Sequence, residues 1–183
     1  MNKKRPISAF NSIPTSLVLF WKKDFDLQVM SSSQNHIDVL INKGKENVWR
    51  FTSFYGAPET QLRRESWDLL RDLNNRFSVL WLCGGDFNEL LKSHEKLGGR
   101  LRSYGQMQKF REVLDECGLC DLVFVGNKFT WFKTFPGGGV VWERLDRAVS
   151  SAAWYDMFPA RYQLWFVLFL IIVLLWFDPM GSL

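Results

Sequence analysis

Along the first half of the chain, apolar and polar positions alternate in short runs that predict strands. Ser16–Trp21 is a short apolar run, and Lys22-Lys23-Asp24 supplies a turn after it. In Phe25–Met30, Phe25, Leu27 and Val29 alternate with Asp26 and Gln28, the period of a half-buried strand. His36–Ile41 and Val48–Tyr55 follow, with Asn42-Lys43-Gly44-Lys45 between them as a hairpin connection. Tyr55-Gly56-Ala57-Pro58 ends the last of these, because proline has no N–H to give a ladder.

A helical period then takes over. Pro58 suits the first helical position, and Glu59 in the first turn complements the helix dipole. The helix is expected to run to about Asn75. Leu62, Leu69, Leu70 and Leu73 share one face with Ser66 and Trp67 beside them, while Arg63, Arg64, Asp68 and Arg71 face outward. Ser78–Cys83 is apolar on both sides of the pleat, the mark of a central strand covered on both faces.

After the polar loop Ser93–Arg102, Met107, Phe110, Leu114 and Cys117 recur at helical spacing, and Gly118 caps that helix. Phe129–Thr134 and Val140–Leu145 flank Phe135-Pro136-Gly137-Gly138-Gly139, a hairpin signal. Ser150–Phe158 reads as a short helix. Strands with two intervening helices predict an α/β domain, two sheets with helices outside. There is no internal repeat and no interdomain linker.

Composition narrows the class. With 183 residues, 47% hydrophobic and 23% charged, the chain is long enough for one domain with a core and too apolar for a disordered one. The net charge of +4 is compatible with a polyanionic partner but too small to argue for one. Nine Trp and sixteen Phe fall mostly on apolar faces, so they are expected in the core rather than on a base-stacking platform.

Cys117-x-x-Cys120 has no second pair and no nearby histidine, and Cys117 continues an apolar helix face. It reads as core rather than as a zinc ligand, in a reducing compartment. No targeting signal is apparent, which implies an intracellular, non-secreted protein of nucleus or cytoplasm. Leu164–Phe177 is uninterruptedly apolar but falls short of the roughly 20 residues of a spanning helix, so a membrane partner is not expected.

The chemistry concentrates in Gly84-Gly85-Asp86-Phe87-Asn88-Glu89, directly after the central strand. Glycines permit a sharp exit, and Asp86 and Asn88 are expected one pleat apart on the same side. A carboxylate beside a carboxamide can ligate Mg²⁺, orient a water or hold a phosphoryl oxygen; the pair can equally form a simple Asx turn. Tyr55 ends one strand and Asp146 is read as ending another. Three polar strand ends can thus converge on one rim, where open α/β sheets place their sites.

Tyr55-Gly56-Ala57-Pro58, Trp81–Glu89, Glu95–Gly99, Phe129–Trp131 and Glu143-Arg144-Leu145-Asp146-Arg147, in this order, resemble the endonuclease/exonuclease/phosphatase superfamily. More narrowly, they resemble the endonuclease domain of plant non-LTR retrotransposon polyproteins, over about Ser16 to Phe158. The resemblance implies a two-sheet α/β sandwich with outer helices and Mg²⁺-dependent cleavage of a DNA strand. It makes Asp86 the aspartate that positions and activates the attacking water, with Asn88 its partner at the phosphate. Tyr55 hydrogen-bonds the phosphate in that reading, and Asp146 orients a catalytic histidine. The metal falls to Asp86 and Asn88, and no small-molecule cofactor is implied.

Other motifs of the family are not found. No metal-binding Glu-Thr-Lys-like segment precedes Ser16, and Leu164–Phe177 stands where a Ser-Asp-His strand is habitual. The expectation is therefore an incomplete domain over residues 16–162, with an unassigned segment 1–15 and an apolar segment 163–183. Its activity is expected to be impaired, because removing one member of a cooperative site costs orders of magnitude in rate. A non-enzymatic remnant with weak metal or nucleic-acid binding, or a membrane-associated fragment, are the alternative readings. His36 and His94 are expected in structural or solvent roles. Lys92, Lys96, Arg100, Arg102, Lys109 and Arg111 could meet DNA phosphates or form a solvated face, and Arg144 and Arg147 could be ion-pair partners of acidic groups.

Overall fold

In the computed structural model, which describes residues 5–7, 17, 19–21, 26–122 and 126–158, the alternating segments are strands and the helical ones helices. In chain order the described strands are β1 (Arg5–Ile7), β2 (Leu19–Trp21), β3 (Leu27–Ser32), β4 (His36–Ile41), β5 (Trp49–Tyr55) and β6 (Leu80–Asp86). After them come β7 (Lys96–Leu97), β8 (Leu119–Asp121), β9 (Trp131–Thr134), β10 (Val140–Glu143) and β11 (Asp146–Ser151). The helices are α1 (Arg63–Arg76), α2 (Tyr104–Glu116) and α3 (Ala152–Met157).

Among the described residues, six strands form the main sheet in the order β3-β4-β5-β6-β11-β8, with smaller sheets β7-β10-β9 and β1-β2. The pair β5–β6 is parallel, as the α1 crossover requires, and the other described pairs are antiparallel.

Alternation along the strands divides the core in two. Phe54, Trp81, Cys83 and Val149 point to one face and pack under Trp67, Leu70 and Leu73 of α1 and Phe110, Val113 and Leu114 of α2. Ile37, Val39, Phe51, Leu82 and Ala148 point to the other, where Leu17, Leu19 and Trp154 cover them. A central sheet covered on both faces is what the continuous apolar run through β6 requires. Beneath α1, Arg50 and Asp38 form a fully buried ion pair at 2.7 Å, with the Thr52 hydroxyl also donating to Asp38.

Several boundaries differ from the sequence reading. Pro58 does not open α1: a 3₁₀ turn at Thr60–Leu62 intervenes, and the helix starts at Arg63. Leu62 is consequently exposed and Arg63 buried, the reverse of the expectation. Asp146 begins β11 rather than ending a strand, and Ser150 and Ser151 belong to β11 rather than to α3. β1, β7 and β8 are too short to show a period of their own. The turn at Lys22-Lys23-Asp24 and the run Leu164–Phe177 lie outside the described residues. Among the described residues, no helix is long and apolar enough to cross a membrane.

Candidate active site

The sheet register places three of the predicted residues side by side. Tyr55 on β5 and Asp146 on β11 are both the ladder partners of Asp86 on β6. Residues in register on adjacent strands project to the same face. The row therefore lies on the face shared by Phe51, Leu82 and Ala148, at the carboxyl end of β5 and β6. Two glycines let the backbones close around it. A Cβ on Gly85, whose φ is +151°, would fall 1.9 Å from the Phe54 carbonyl oxygen, and one on Gly56 would fall 2.4 Å from that of Phe87.

Beyond Asp86 the chain leaves the strand. Asn88 has φ 54°, so it is not one pleat on from Asp86 but sits in a turn, buried at 8% exposure. The Asn88 N–H donates to Asp86 Oδ1 at 2.7 Å, which is an Asx turn. The two readings of this pair are therefore not exclusive. Asn88 Nδ2 donates to the Gly56 carbonyl at 2.8 Å, and the Gly56 N–H donates to the Asp86 carbonyl at 2.7 Å. These bonds lock the loop after Tyr55 to the loop after Asp86. On the other side, Thr130 Oγ1 accepts from the N–H groups of Leu145 and Asp146 at 3.1 and 3.0 Å. Thr130 was not singled out from the sequence, although it is the centre of Phe129–Trp131.

The electrostatics of the row are those of a crowded acidic pair. Burial, and then the charge of Asp146, pushes the Asp86 carboxyl up to about 7, against the opposing Asn88 N–H and the charge of Arg63. Burial also raises Asp146, opposed by the Thr130 hydroxyl and Arg147. Among the described residues, no group of three or more His, Cys, Asp or Glu side chains comes together to cage a metal ion.

Behind the rim, charges pair internally. Glu89 is fully buried against Arg63 at 2.5 Å, with Arg102 at 3.5 Å. Arg102 and Lys96 both reach Glu143. Glu95 pairs with Arg144 and Arg147 at 3.1 and 2.9 Å, and Asp121 pairs with the same two arginines. Burial raises the Glu95 carboxyl, but bonds and charge from Arg147, the Leu91 N–H and Arg144 outweigh it and hold the group below its ordinary range. Arg144 and Arg147 are thus ion-pair partners of acidic groups. Lys96, Arg102 and Arg111 are held within the fold, Arg111 by Gln108 and the Leu91 carbonyl, whereas Lys92, Arg100 and Lys109 are exposed.

The architecture matches that of solved structures. The endonuclease domain of TRAS1, a telomere-specific non-LTR retrotransposon, superposes with a TM-score of 0.63 over 84% of this chain and 69% of that one, at 18% identity. The chain has the endonuclease/exonuclease/phosphatase fold. A 3′ phosphatase, NExo from Neisseria, bound to a product DNA hairpin, shares the fold with a TM-score of 0.50 and 17% identity. That match covers 70% of this chain and 58% of the enzyme. No family model and no curated protein sequence matches the chain.

Within the endonuclease/exonuclease/phosphatase fold, the structure brings Tyr55, Asp86, Asn88 and Asp146 to one rim and leaves the histidines out of it. His36 is on the opposite face of the sheet from Tyr55, with Nε2 bonded to the Ser31 hydroxyl at 2.9 Å and Nδ1 to that of Ser33 at 2.8 Å. His94 is exposed in the turn Ser93–Glu95. Of the two cysteines read as core, Cys117 is buried at the end of α2, whereas Cys120 is exposed on β8.

Proposed function

We propose that the rim is a phosphodiesterase site for DNA, of the retrotransposon-endonuclease kind, whose turnover in this chain is low. The observation that carries the reading is the row Tyr55–Asp86–Asp146 in one register, with Asn88 folded against it. The donor set fits a hard divalent cation. Two carboxylates lie in register on adjacent interior strands, at the carboxyl end of β6, and a bound positive charge would relieve their mutual repulsion. Asp86 would hold it with Asp146 beside it and with Asn88 as the sequence suggested, since the bond to Gly56 uses Asn88 Nδ2 and a cation takes the amide oxygen. Bound there, Mg²⁺ supplies Lewis-acid stabilisation of a phosphoryl oxygen.

The remaining work falls to side chains. With Oδ1 accepting from the Asn88 N–H, Asp86 Oδ2 is the oxygen left to take the proton of the attacking water. The Tyr55 hydroxyl donates to the phosphate. Asp146 has no histidine to orient among the described residues, so the leaving group and phosphate lack an imidazolium donor. That absence supports low turnover, by the cooperativity of such sites.

A nicking assay on supercoiled plasmid with and without Mg²⁺ tests the reading. Slow, Mg²⁺-dependent nicking that Asp86→Ala abolishes is expected. Oligonucleotide binding that depends on Asp86, without nicking, would move the chain to the non-enzymatic alternative. A chain that shows neither nicking nor binding overturns the proposal.

A further inference from the structure

Glu89 and Arg63 lie outside the row but touch both loops that form it. Glu89 follows Asn88 directly and is completely buried. Its Oε1 accepts from the Leu90 N–H at 2.8 Å and its Oε2 from Arg63 Nη1 at 2.5 Å. The second nitrogen of the same guanidinium, Nη2, donates to the Pro58 carbonyl at 3.2 Å, in the loop after Tyr55. One buried fork therefore ties residues 56–58 to residues 87–90. The position is costly in two ways. A cation in the first turn of α1 opposes the helix dipole, and burial pulls the Arg63 guanidinium below its ordinary value. Helix propensity explains neither; the fork does.

Beside this fork, other bonds hold the two loops, among them Asn88 Nδ2 to the Gly56 carbonyl, the Gly56 N–H to the Asp86 carbonyl, the Ala57 N–H to the Ser66 hydroxyl, the Phe87 N–H to the Leu145 carbonyl and Arg147 Nη2 to the Glu89 carbonyl. The first two are bonds between the very groups whose separation defines the site. We infer that Glu89 and Arg63 are positioning residues, which fix the spacing between Tyr55 and the Asp86–Asn88 turn without touching substrate. A small shift there is enough to spoil a site that works by orientation. The kinetic part of this inference rests on the phosphodiesterase reading; the geometric part does not.

The test uses the full chain with Glu89→Gln and, separately, Arg63→Lys. The amide in Glu89→Gln keeps the shape but loses the charge, and a lysine cannot hold Glu89 and Pro58 together as a planar fork does. Amide-resolved hydrogen exchange is followed by NMR at Gly56, Asn88 and the core residue Leu82. In each folded variant the Gly56 and Asn88 amides are expected to exchange about tenfold faster, with Leu82 changed far less. In the nicking assay kcat is expected to fall on the order of tenfold with KM within about twofold, a split that general destabilisation does not give. Unchanged exchange at Gly56 and Asn88 in a folded variant, or equal acceleration at Leu82, overturns the inference. A wild-type chain that does not nick removes the phosphodiesterase reading, while the exchange data still decide whether the fork positions the loops.

Discussion

Replacing Asp146 by asparagine is expected to stabilise the fold at neutral pH. The side chain keeps its shape and its place in register with Asp86, and loses its charge. Asp86 is carried from an ordinary 3.8 to about 7, first by burial and then by Asp146. For a carboxyl raised on folding, the native state holds more protons than the unfolded chain between those two values. Stability is then fully present below the lower one and is lost as pH rises through the upper. At full ionisation a shift of that size amounts to at most about 4 kcal/mol. Burial is the larger cause, so removing the Asp146 charge should return about 1–2 kcal/mol near pH 8. Near pH 5, where Asp86 is largely protonated and has no charge for Asp146 to oppose, the gain should be small, on the order of a few tenths of a kcal/mol. Urea unfolding of both chains across that range, at constant m-value, reads the difference directly. A variant whose stability is shifted equally at both ends of the range, or lowered near pH 8, would show that the two carboxylates do not oppose each other as described.

Arg147→Met tests the ionic scaffold behind the rim. Arg147 is fully buried and serves Glu95, Asp121 and the Arg144 carbonyl, so its loss should cost about 3 kcal/mol in urea unfolding, and a cost below about 1 kcal/mol would refute that role. Of the three thiols, a disulfide-exchange reagent should label Cys120 alone in the native chain. Burial pushes Cys83 up and raises Cys117 to about 11; rapid native labelling of either would contradict the packing.

The strands of the main sheet were legible wherever alternation or continuous burial ran for five residues or more, as in β4, β5 and β6. β7 and β8 have two and three residues, and their existence depends on partners far away in sequence. The site was legible as a list of residues and not as a geometry. Tyr55, Asp86 and Asp146 could be named from strand ends, but the register that aligns them is set by the crossover and by β11, a strand that the sequence reading did not contain. Asn88 was placed one pleat from Asp86 because nothing in its neighbours announces a positive φ. Arg63 was assigned to solvent by its charge, since helical period alone cannot see a carboxylate that arrives from Glu89. With the helix read as opening at Pro58, Arg63 fell in the second turn, so its place in the first turn of α1 gave no signal either.

The order in which the row is completed has a consequence for the chain during synthesis. β5, α1 and β6 are contiguous and can pair as soon as they leave the ribosome, which sets Asp86 beside Tyr55. Asp146 arrives only with β11, which inserts between β6 and β8 as the last described strand of the main sheet. Until then β6 is an open edge and the second carboxylate is missing. A nascent chain is therefore without its paired acids until nearly all of the described residues have emerged, and the sheet is sealed by the same event that arms the rim.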